Sequence, residues 1–331
     1  MGLPAQLKRF GLDAYFFLLL SVVALASLVP ARGMSAEIVA KVAFFGVALL
    51  FFLYGAKLDP RAIAAGITNW RLQSLIAGCT YLAFPLVGVT LAAIVAPFAP
   101  PEVSIGIVFL AILPSTVQSS IAFTGMARAN VPGAVCAATL SNLAGVVLTP
   151  LLAAWLLQSD TGGFSLDTMK NIAIQILLPF MLGQLARPKI GKWITAHKRV
   201  TLFVDRGAIL LIVYSAFSAG VVSGIWQSVG APVLLVIVAA NAVMLVILLV
   251  GSMAAGKAMG LPREDCLAAL FCGSTKSLAT GLPIANILFA GQALSLIVLP
   301  LMLFHQMQLL TCAIIAQRQA QQLDAAEPQA A

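Results

Sequence analysis

The chain has 331 residues, of which 61% are hydrophobic and only 9% are charged. A water-soluble domain normally carries roughly 25% charged residues, so this composition excludes an ordinary soluble protein and predicts lipid as the solvent. The formal net charge of +8 does not indicate a nucleic-acid partner, because the basic residues lie in short loops between apolar runs rather than on one face or in a tail.

Apolar runs long enough to cross about 30 Å of hydrocarbon as helices recur along the chain. Ten are predicted, at 13–30, 38–56, 72–96, 103–127, 131–157, 170–186, 203–223, 231–255, 266–289 and 293–316. Lys8 and Arg9, followed by an apolar stretch and Ala24-Leu25-Ala26, also resemble a secretory signal with a cleavage site, and cleavage there would leave nine spans. The polar tail from Gln317, rich in Gln and Ala, is predicted to be disordered.

Lysine and arginine counts in the loops predict the orientation of the chain. With the N-terminus in the cytoplasm, the segments predicted to be cytoplasmic hold fourteen Lys and Arg residues, and the outer loops hold two, Arg32 and Lys170. This bias follows the positive-inside rule. It predicts a bacterial inner-membrane protein with both termini in the cytoplasm.

Ser- and Thr-rich stretches interrupt the fourth and ninth runs. The fourth contains PSTVQSSIAFTG at 114–125, the ninth contains GSTKSLATG at 273–281, and the Ser-Thr pairs begin at Ser115 and Ser274, 159 residues apart. This spacing is close to half the chain and predicts a duplication, with repeats at 1–157 and 158–316 and a tail at 317–331. Because five spans is an odd number, the second repeat is inverted, as is typical of secondary transporters.

Hydroxyl runs flanked by Gly and Pro predict that the helices unwind inside the membrane. Ser and Thr side chains compete for backbone hydrogen bonds, and Pro removes a donor. Unwound backbone at membrane depth is tolerated only where it is buried in protein or lines a wet cavity. One such stretch is more simply a packing kink, but two at matching positions favour a binding site.

Lys276 is the most informative single residue, because it lies about 15 Å along its helix from the cytoplasmic end at a rise of ~1.5 Å per residue. All eleven acidic residues fall in loops, in the tail or at span ends. A charged Lys276 must therefore be neutralised by a shifted pKa, satisfied by carbonyls or met by an anion from outside. The last possibility predicts an anionic substrate.

Other polar residues within spans could line the same cavity or serve as interhelical hydrogen-bonding groups. They are Thr139, Ser141, Asn142, Gln175, Gln184, Asn241, His305, Gln306 and Gln308. The sequence offers no carboxylate pair, nucleotide loop or nucleophile elbow, and its five cysteines and two histidines show no metal-ligand spacing. Ser274 and Lys276 are two apart on a helix and point to different sides, so they do not form a catalytic dyad. Neither an enzyme nor a metal cofactor is expected.

Several stretches carry a resemblance to a known family. They are PARG at 30–33, ALLFFLYGAKL at 48–58, LAILPSTVQSSIAFTGMARANV at 110–131, LPFMLGQLARP at 178–188, VYSAFS at 213–218, FCGSTKSLATGLPIANILFAG at 271–291 and LPLMLFHQMQL at 299–309. On these the chain resembles the bile acid:sodium symporter family, in the bacterial branch related to vertebrate solute carrier family ten, member seven.

The resemblance implies an all-α membrane protein with ten transmembrane helices in two inverted five-helix repeats. It implies a panel domain of the first, second, sixth and seventh spans, and a core domain in which broken helices 4 and 9 cross. It also implies that sodium binds at the crossing and an organic anion binds between panel and core. The positions carried over are Ser115, Thr116, Gln118, Ser119 and Ser120 in the fourth span, and Ser274, Thr275, Lys276 and Ser277 in the ninth.

The chain departs from the sodium-coupled relatives at one place. They carry a glutamate before the ninth-span break and a Gln-Asn pair after it, where this chain has Phe271 and Thr275-Lys276. Two like charges about 4 Å apart repel by ~4 kcal/mol at an effective dielectric of about 20, so an ammonium is a poor neighbour for sodium. Sodium, a proton and Lys276 itself as a tethered substitute all remain open as the coupling cation.

The sequence therefore predicts a secondary transporter of a small organic anion, embedded in the lipid bilayer. A membrane regulatory or accessory protein with the same fold and no flux of its own is the alternative. No nucleic-acid partner is expected, and a homodimer is left open.

Overall fold

The computed structural model describes residues 14–57, 69–157, 174, 176, 178–224, 229–289 and 293–326, and within these ranges the chain is helical with no strand. The helices are α1 (Ala14–Leu28), α2 (Met34–Lys57), α3 (Trp70–Val95), α4 (Pro101–Ala111), α5 (Gln118–Met126), α6 (Val131–Leu156), α7 (Leu178–Ala196), α8 (Lys198–Val222), α9 (Ala231–Ala258), α10 (Arg263–Gly273), α11 (Leu278–Leu288) and α12 (Leu294–Ala326). The prediction of an all-α protein is confirmed.

Six of the described helices, namely α2, α3, α6, α8, α9 and α12, are long and apolar enough to cross a membrane by length and composition. Their outer faces expose large apolar side chains, among them Phe45, Phe203 and Leu235, each more than two-thirds exposed. A surface of this kind is stable against lipid rather than water. The described part of the chain is therefore that of a multi-pass membrane protein.

The helices pack in two groups. In the first, α2 packs along α7, and α8 packs against both α1 and α2. Gly55 on α2 and Gly183 on α7 allow this close approach, because a Cβ on either glycine would collide with a backbone carbonyl of the other helix, at Phe180 and at Phe52.

The second group is built around the short helices. Here α4 packs against α3 and α12, while α10 packs against α9, α3, α5 and α6. The two groups meet where α8 contacts α11 and α12. The short helices α4, α5 and α10 thus pack among helices of their own group, whereas α11 also packs against α8 of the first group.

Two segments differ from the sequence-based expectation. The prediction of a sixth span ending at residue 186 falls partly outside the described residues, and the helix that is described continues through Pro188 to Ala196. The tail predicted to be disordered from Gln317 instead extends α12 to Ala326. Extension of an existing helix avoids the cost of nucleation and suits Gln and Ala, and Arg263 Nη2 donates to Gln319 Oε1 at 2.9 Å across this extension.

Candidate functional site

The helical interruptions lie at 112–117, between α4 and α5, and at 274–277, between α10 and α11. Both coincide with the Ser- and Thr-rich stretches. Pro114 has no N–H and cannot continue α4 as a regular helix. In the second stretch, the Ser277 hydroxyl accepts a hydrogen bond from the Thr280 N–H at 3.1 Å, which caps the start of α11. Each stretch therefore ends one helix and begins the next.

The two interruptions contact each other, and we refer to residues 112–117 and 274–277 together as the junction. The Ser277 N–H donates to the Pro114 carbonyl at 2.9 Å, and the Ser115 hydroxyl donates to the Cys272 carbonyl at 2.6 Å. Both Ser115 and Ser274 are fully buried. Folding thus brings two stretches separated by half the chain into one enclosed polar region.

A cluster of hydroxyl groups fills one side of the junction. Thr275 Oγ1 donates to the Phe271 carbonyl at 2.8 Å and lies 3.1 Å from Thr116 Oγ1. It also lies 3.2 Å from Ser115 Oγ and 2.9 Å from Ser120 Oγ. A hydroxyl has one proton and two acceptor positions, so Thr275 can accept from two of these three neighbours at a time. Oxygen sets of this kind also suit hard cations, although no described carboxylate joins this one.

Side chains from the following long helices pair with the unwound backbone. The Ser115 N–H donates to Ser141 Oγ at 3.0 Å, and the Ser115 carbonyl accepts from Asn142 Nδ2 at 2.8 Å, both from α6. At the second interruption, Gln308 on α12 accepts from the Lys276 N–H at 2.8 Å and donates to the Lys276 carbonyl at 2.9 Å. Backbone groups at membrane depth need such partners. Each interruption is thus held by polar side chains that lie about thirty residues further along the chain.

The amine of Lys276 is enclosed on the other side of the junction. The side chain is fully buried, and its Nζ donates to the Leu113 carbonyl at 2.6 Å and to the Thr80 carbonyl at 2.9 Å. The Nζ also lies 4.0 Å from the centroid of the Phe84 ring. We call Thr80, Leu113 and Phe84 the amine cage. The two carbonyls match one of the three sequence-based possibilities for Lys276, but they supply acceptors without a negative charge, so they do not replace the attraction of a protonated amine for an anion.

The carbonyls of the cage are free for a reason that is visible in the sequence. Helix α3 contains a π-helical turn at Cys79–Ala83, in which the Phe84 N–H donates to the Cys79 carbonyl. The next residue is Pro85, which has no N–H, so the Thr80 carbonyl lacks a helical donor. Leu113 follows the last turn of α4, where the negative end of the helix dipole also favours a cation.

The predicted site residues divide into a buried and an accessible set. Ser115, Thr116, Ser120, Ser141, Ser274, Thr275, Lys276 and Ser277 are buried in or against the junction. Gln118, the first residue of α5, is exposed. Ser119, the next residue of α5, and Asn142 on α6 are partly exposed. His305 Nδ1 lies 2.9 Å from Gln308 Nε2, so it is connected to the Lys276 carbonyl through one side chain. Thr139 donates to the Val135 carbonyl within α6 and is not joined to the cluster by these bonds.

Four residues of the site were missed or left unassigned by the sequence, and one of them is Leu113, of which only the backbone carbonyl takes part. Thr80 and Phe84 belong to an apolar run with no polar pattern, although Pro85 in mid-run could have indicated a freed carbonyl. Gln308 was one of several polar residues in the last span, and nothing in the sequence distinguished it from Gln306. Its importance depends on which face of α12 meets the junction.

Comparison with known proteins bears on what this site does. The family model for the SBF-like CPA transporter family matches residues 13–321. The chain is 43% identical over 318 residues to "Putative symporter YfeH" of Escherichia coli, covering 96% of each protein. It is 48% identical over 318 residues to "Uncharacterized protein PA2026" of Pseudomonas aeruginosa, covering 96% of this chain and 95% of the relative. It is 24% identical over 323 residues to "Sodium/bile acid cotransporter 7" of Danio rerio, covering 95% of each.

The chain belongs to the SBF-like CPA transporter family. The match covers both helix groups and both interruptions, so the junction lies inside the matched region. The resemblance drawn from the motifs is confirmed. A transporter family is consistent with the expectation that the site binds and moves a solute rather than catalysing a reaction.

In this family member a second polar cluster lies at one end of the short helices. The Asp265 carboxylate, in the first turn of α10, accepts from Asn69 Nδ2 at 2.8 Å and from Asn130 Nδ2 at 2.6 Å. The same two Asn residues cap α3 and α6 by accepting from the N–H groups of Leu72 and Gly133. We call Asn69, Asn130 and Asp265 the Asp265 clamp. It fixes the N-terminal ends of α3, α6 and α10 together, and the sequence did not predict it.

A groove of about 370 Å³ runs between α3 and α9. Its lining is apolar except for Ser74 and Ser252, and the Ser252 hydroxyl already donates to the Leu249 carbonyl. A charged solute would lose its hydration there without gaining partners. The groove is therefore a poor site for an anion.

The substitution Thr275→Val tests the hydroxyl cluster. Valine keeps the shape of the side chain but removes the hydroxyl that three buried hydroxyls share as a partner. We expect the free energy of unfolding to fall by about 1–2 kcal/mol. Thermal melting of the purified protein would measure this as a lower midpoint. Thr139→Val is the matched control, since its hydroxyl bonds only within α6, and it should melt like the wild type. Equal melting of both variants would contradict a structural role for the cluster.

Proposed function

We propose that this family member is a secondary transporter of a small organic anion and that it works by alternating access. The observation that supports this is the buried amine of Lys276 at the junction, where its partners are carbonyls and a ring rather than a carboxylate. Among the described residues, the only other charged side chain that is buried is Asp265. The two lie eleven residues apart, and the helical part from Asp265 to Gly273 alone separates them by about 12 Å at a rise of ~1.5 Å per residue.

When it is protonated, this amine is a positive charge without a carboxylate partner, and such a charge favours an anion nearby. At an effective dielectric of about 20, a unit charge attracts an anion about 10 Å away by roughly 1.7 kcal/mol. Because the amine is enclosed, we place the anion beside the junction and not on the amine itself. Gln118 and Ser119 are accessible at the N-terminus of α5, where the helix dipole and free N–H groups add to the attraction.

Alternating access needs two bodies that move against each other. The packing of α1, α2, α7 and α8 on one another supports their assignment as a panel, and the packing of the remaining helices supports a core that contains the junction. In this proposal the chain crosses the membrane ten times in two inverted repeats, with α4–α5 and α10–α11 as the interrupted spans. An anion held between panel and core would be exposed to one side of the membrane at a time.

Location and coupling complete the proposal. The excess of Lys and Arg in alternate loops supports a plasma-membrane protein with both termini in the cytoplasm. Sodium and a proton are the candidate coupling ions. Sodium is named in the vertebrate relative, and the hydroxyl cluster supplies oxygen ligands, whereas His305 could take part in proton movement.

Uptake by the purified protein in liposomes tests the proposal. We expect saturable entry of at least one small labelled carboxylate or sulfonate, above the level in protein-free liposomes. An uncharged amide of the same size should enter no faster than in the control, because it lacks the charge that the junction attracts. Imposed sodium and proton gradients, applied separately, would identify the coupling ion.

The alternative is a regulatory membrane protein without flux. Folded protein that binds small anions but moves none of them under any gradient would favour that alternative. Folded protein that neither binds nor moves anions would contradict the anionic substrate.

A further inference from the structure

The amine cage has the chemistry of a binding site for a monovalent cation. Two backbone carbonyls, each without a helical donor, converge on one point from the π-helical turn of α3 and from the end of α4. Unwound carbonyls and the C-terminal ends of half-helices are the groups with which transporters hold cations at membrane depth. The Phe84 face adds attraction for a cation of low hydration.

The occupant of this cage belongs to the protein. Lys276 extends from the second interruption, its Nζ reaches both carbonyls, and none of its surface is exposed. Its backbone is fixed at the same time by Gln308 on α12. Through its side chain and its backbone together, Lys276 therefore joins α3, the end of α4, the α10–α11 interruption and α12, which are separate elements of the chain.

We propose that Lys276 is a tethered cation that permanently fills a monovalent-cation site at the junction. The protein then needs no free alkali cation at this position to hold its four elements together. This deepens the proposed function, because it names the group that occupies the cage in place of a coupling ion. The occupancy of the cage does not depend on the proposed function, but its role in transport does. Coupling through another site, such as the hydroxyl cluster, is a separate question.

Shortening the side chain should expose the site. Lys276→Ala removes a propylammonium group and leaves two carbonyls and a ring around an empty volume. Small cations should then stabilise the variant by binding there. Lys276→Met removes the charge but still fills the volume, so it serves as the matched control.

Thermal melting of the purified full chain in detergent at constant ionic strength tests this. In choline chloride, both variants should melt below the wild type. Adding n-propylammonium or sodium chloride should raise the midpoint of Lys276→Ala in a saturable manner, by about 2–5 °C for a protein of this size, and should leave Lys276→Met unchanged. Sodium and potassium should shift the wild-type midpoint no more than they shift that of Lys276→Met, because a shift shared by both reports a cation bound outside the cage.

Three outcomes would overturn the proposal. They are an Ala variant that no small cation stabilises, equal stabilisation of the Ala and Met variants, and a wild type that sodium stabilises more than it stabilises Lys276→Met at equal ionic strength. The comparison of the wild type with Lys276→Met decides the matter even when the Ala variant does not fold. Because the readout is stability, a failure here can be told apart from a failure of anion uptake.

Discussion

Replacing Gln308 by leucine should destabilise the protein by about 2–4 kcal/mol, since the Lys276 N–H and carbonyl both lose their partner in a fully buried position. Leucine has a similar size, so the cost comes from two unpaired backbone groups and not from a large cavity. The loss should also loosen Lys276 and its amine. Thermal melting of the purified variant measures the first effect, and anion uptake in liposomes measures the second.

Gln306→Leu is the matched control for this prediction. Gln306 lies on the same helix two residues earlier and is partly exposed, and the junction backbone does not depend on it. It should melt close to the wild type. If Gln308→Leu were as stable as Gln306→Leu, the paired hydrogen bonds to Lys276 would not be holding the interruption.

Replacing Asp265 by alanine is expected to cost about 2–3 kcal/mol. The amide groups of Asn69 and Asn130 would both lose their acceptor. Neither amide can turn to seek another partner without giving up the helix cap that its oxygen provides. The expected result is a midpoint lower by roughly 5 °C or more in thermal melting.

Glu264→Ala controls for the loss of an acidic residue in the first turn of α10, because Glu264 is exposed. It should cost much less than Asp265→Ala. A double-mutant cycle of Asp265→Ala with Asn130→Ala should show strong coupling, since each substitution removes the same bond. Additive costs in that cycle would show that the clamp is not acting as a unit.

The Asp265 clamp and the junction place an acidic and a basic group at opposite ends of α10. The carboxylate is at the start of α10 and the ammonium follows its end. Each is held by its own set of neutral partners, so neither neutralises the other. Helix α10 thus connects the clamp to the candidate binding region. A substitution that loosens the clamp is therefore expected to shift the junction through α10.

The composition and the motifs of the sequence determined the solvent of this protein, the positions of its two helix interruptions and the residue at their centre. A charged fraction of 9% leaves lipid as the solvent, because such a chain cannot cover itself with polar groups. The Ser-Thr stretches at Ser115 and Ser274 marked both interruptions, since Pro, Gly and hydroxyl side chains act on the backbone locally. The same local logic identified Lys276 as a buried amine without an acidic neighbour in its own segment.

The tertiary structure alone decided the partners of these residues. Nothing local distinguishes Gln308 from Gln306 or identifies Thr80 as the residue whose carbonyl meets the amine, because both depend on the rotation and register of α12 and α3 against the junction. The Asp265 clamp joins residues up to 196 positions apart. A sequence pattern indicates how a residue affects the stability of its own helix. Which buried polar groups pair with each other is decided by how helices that are distant in the chain pack together.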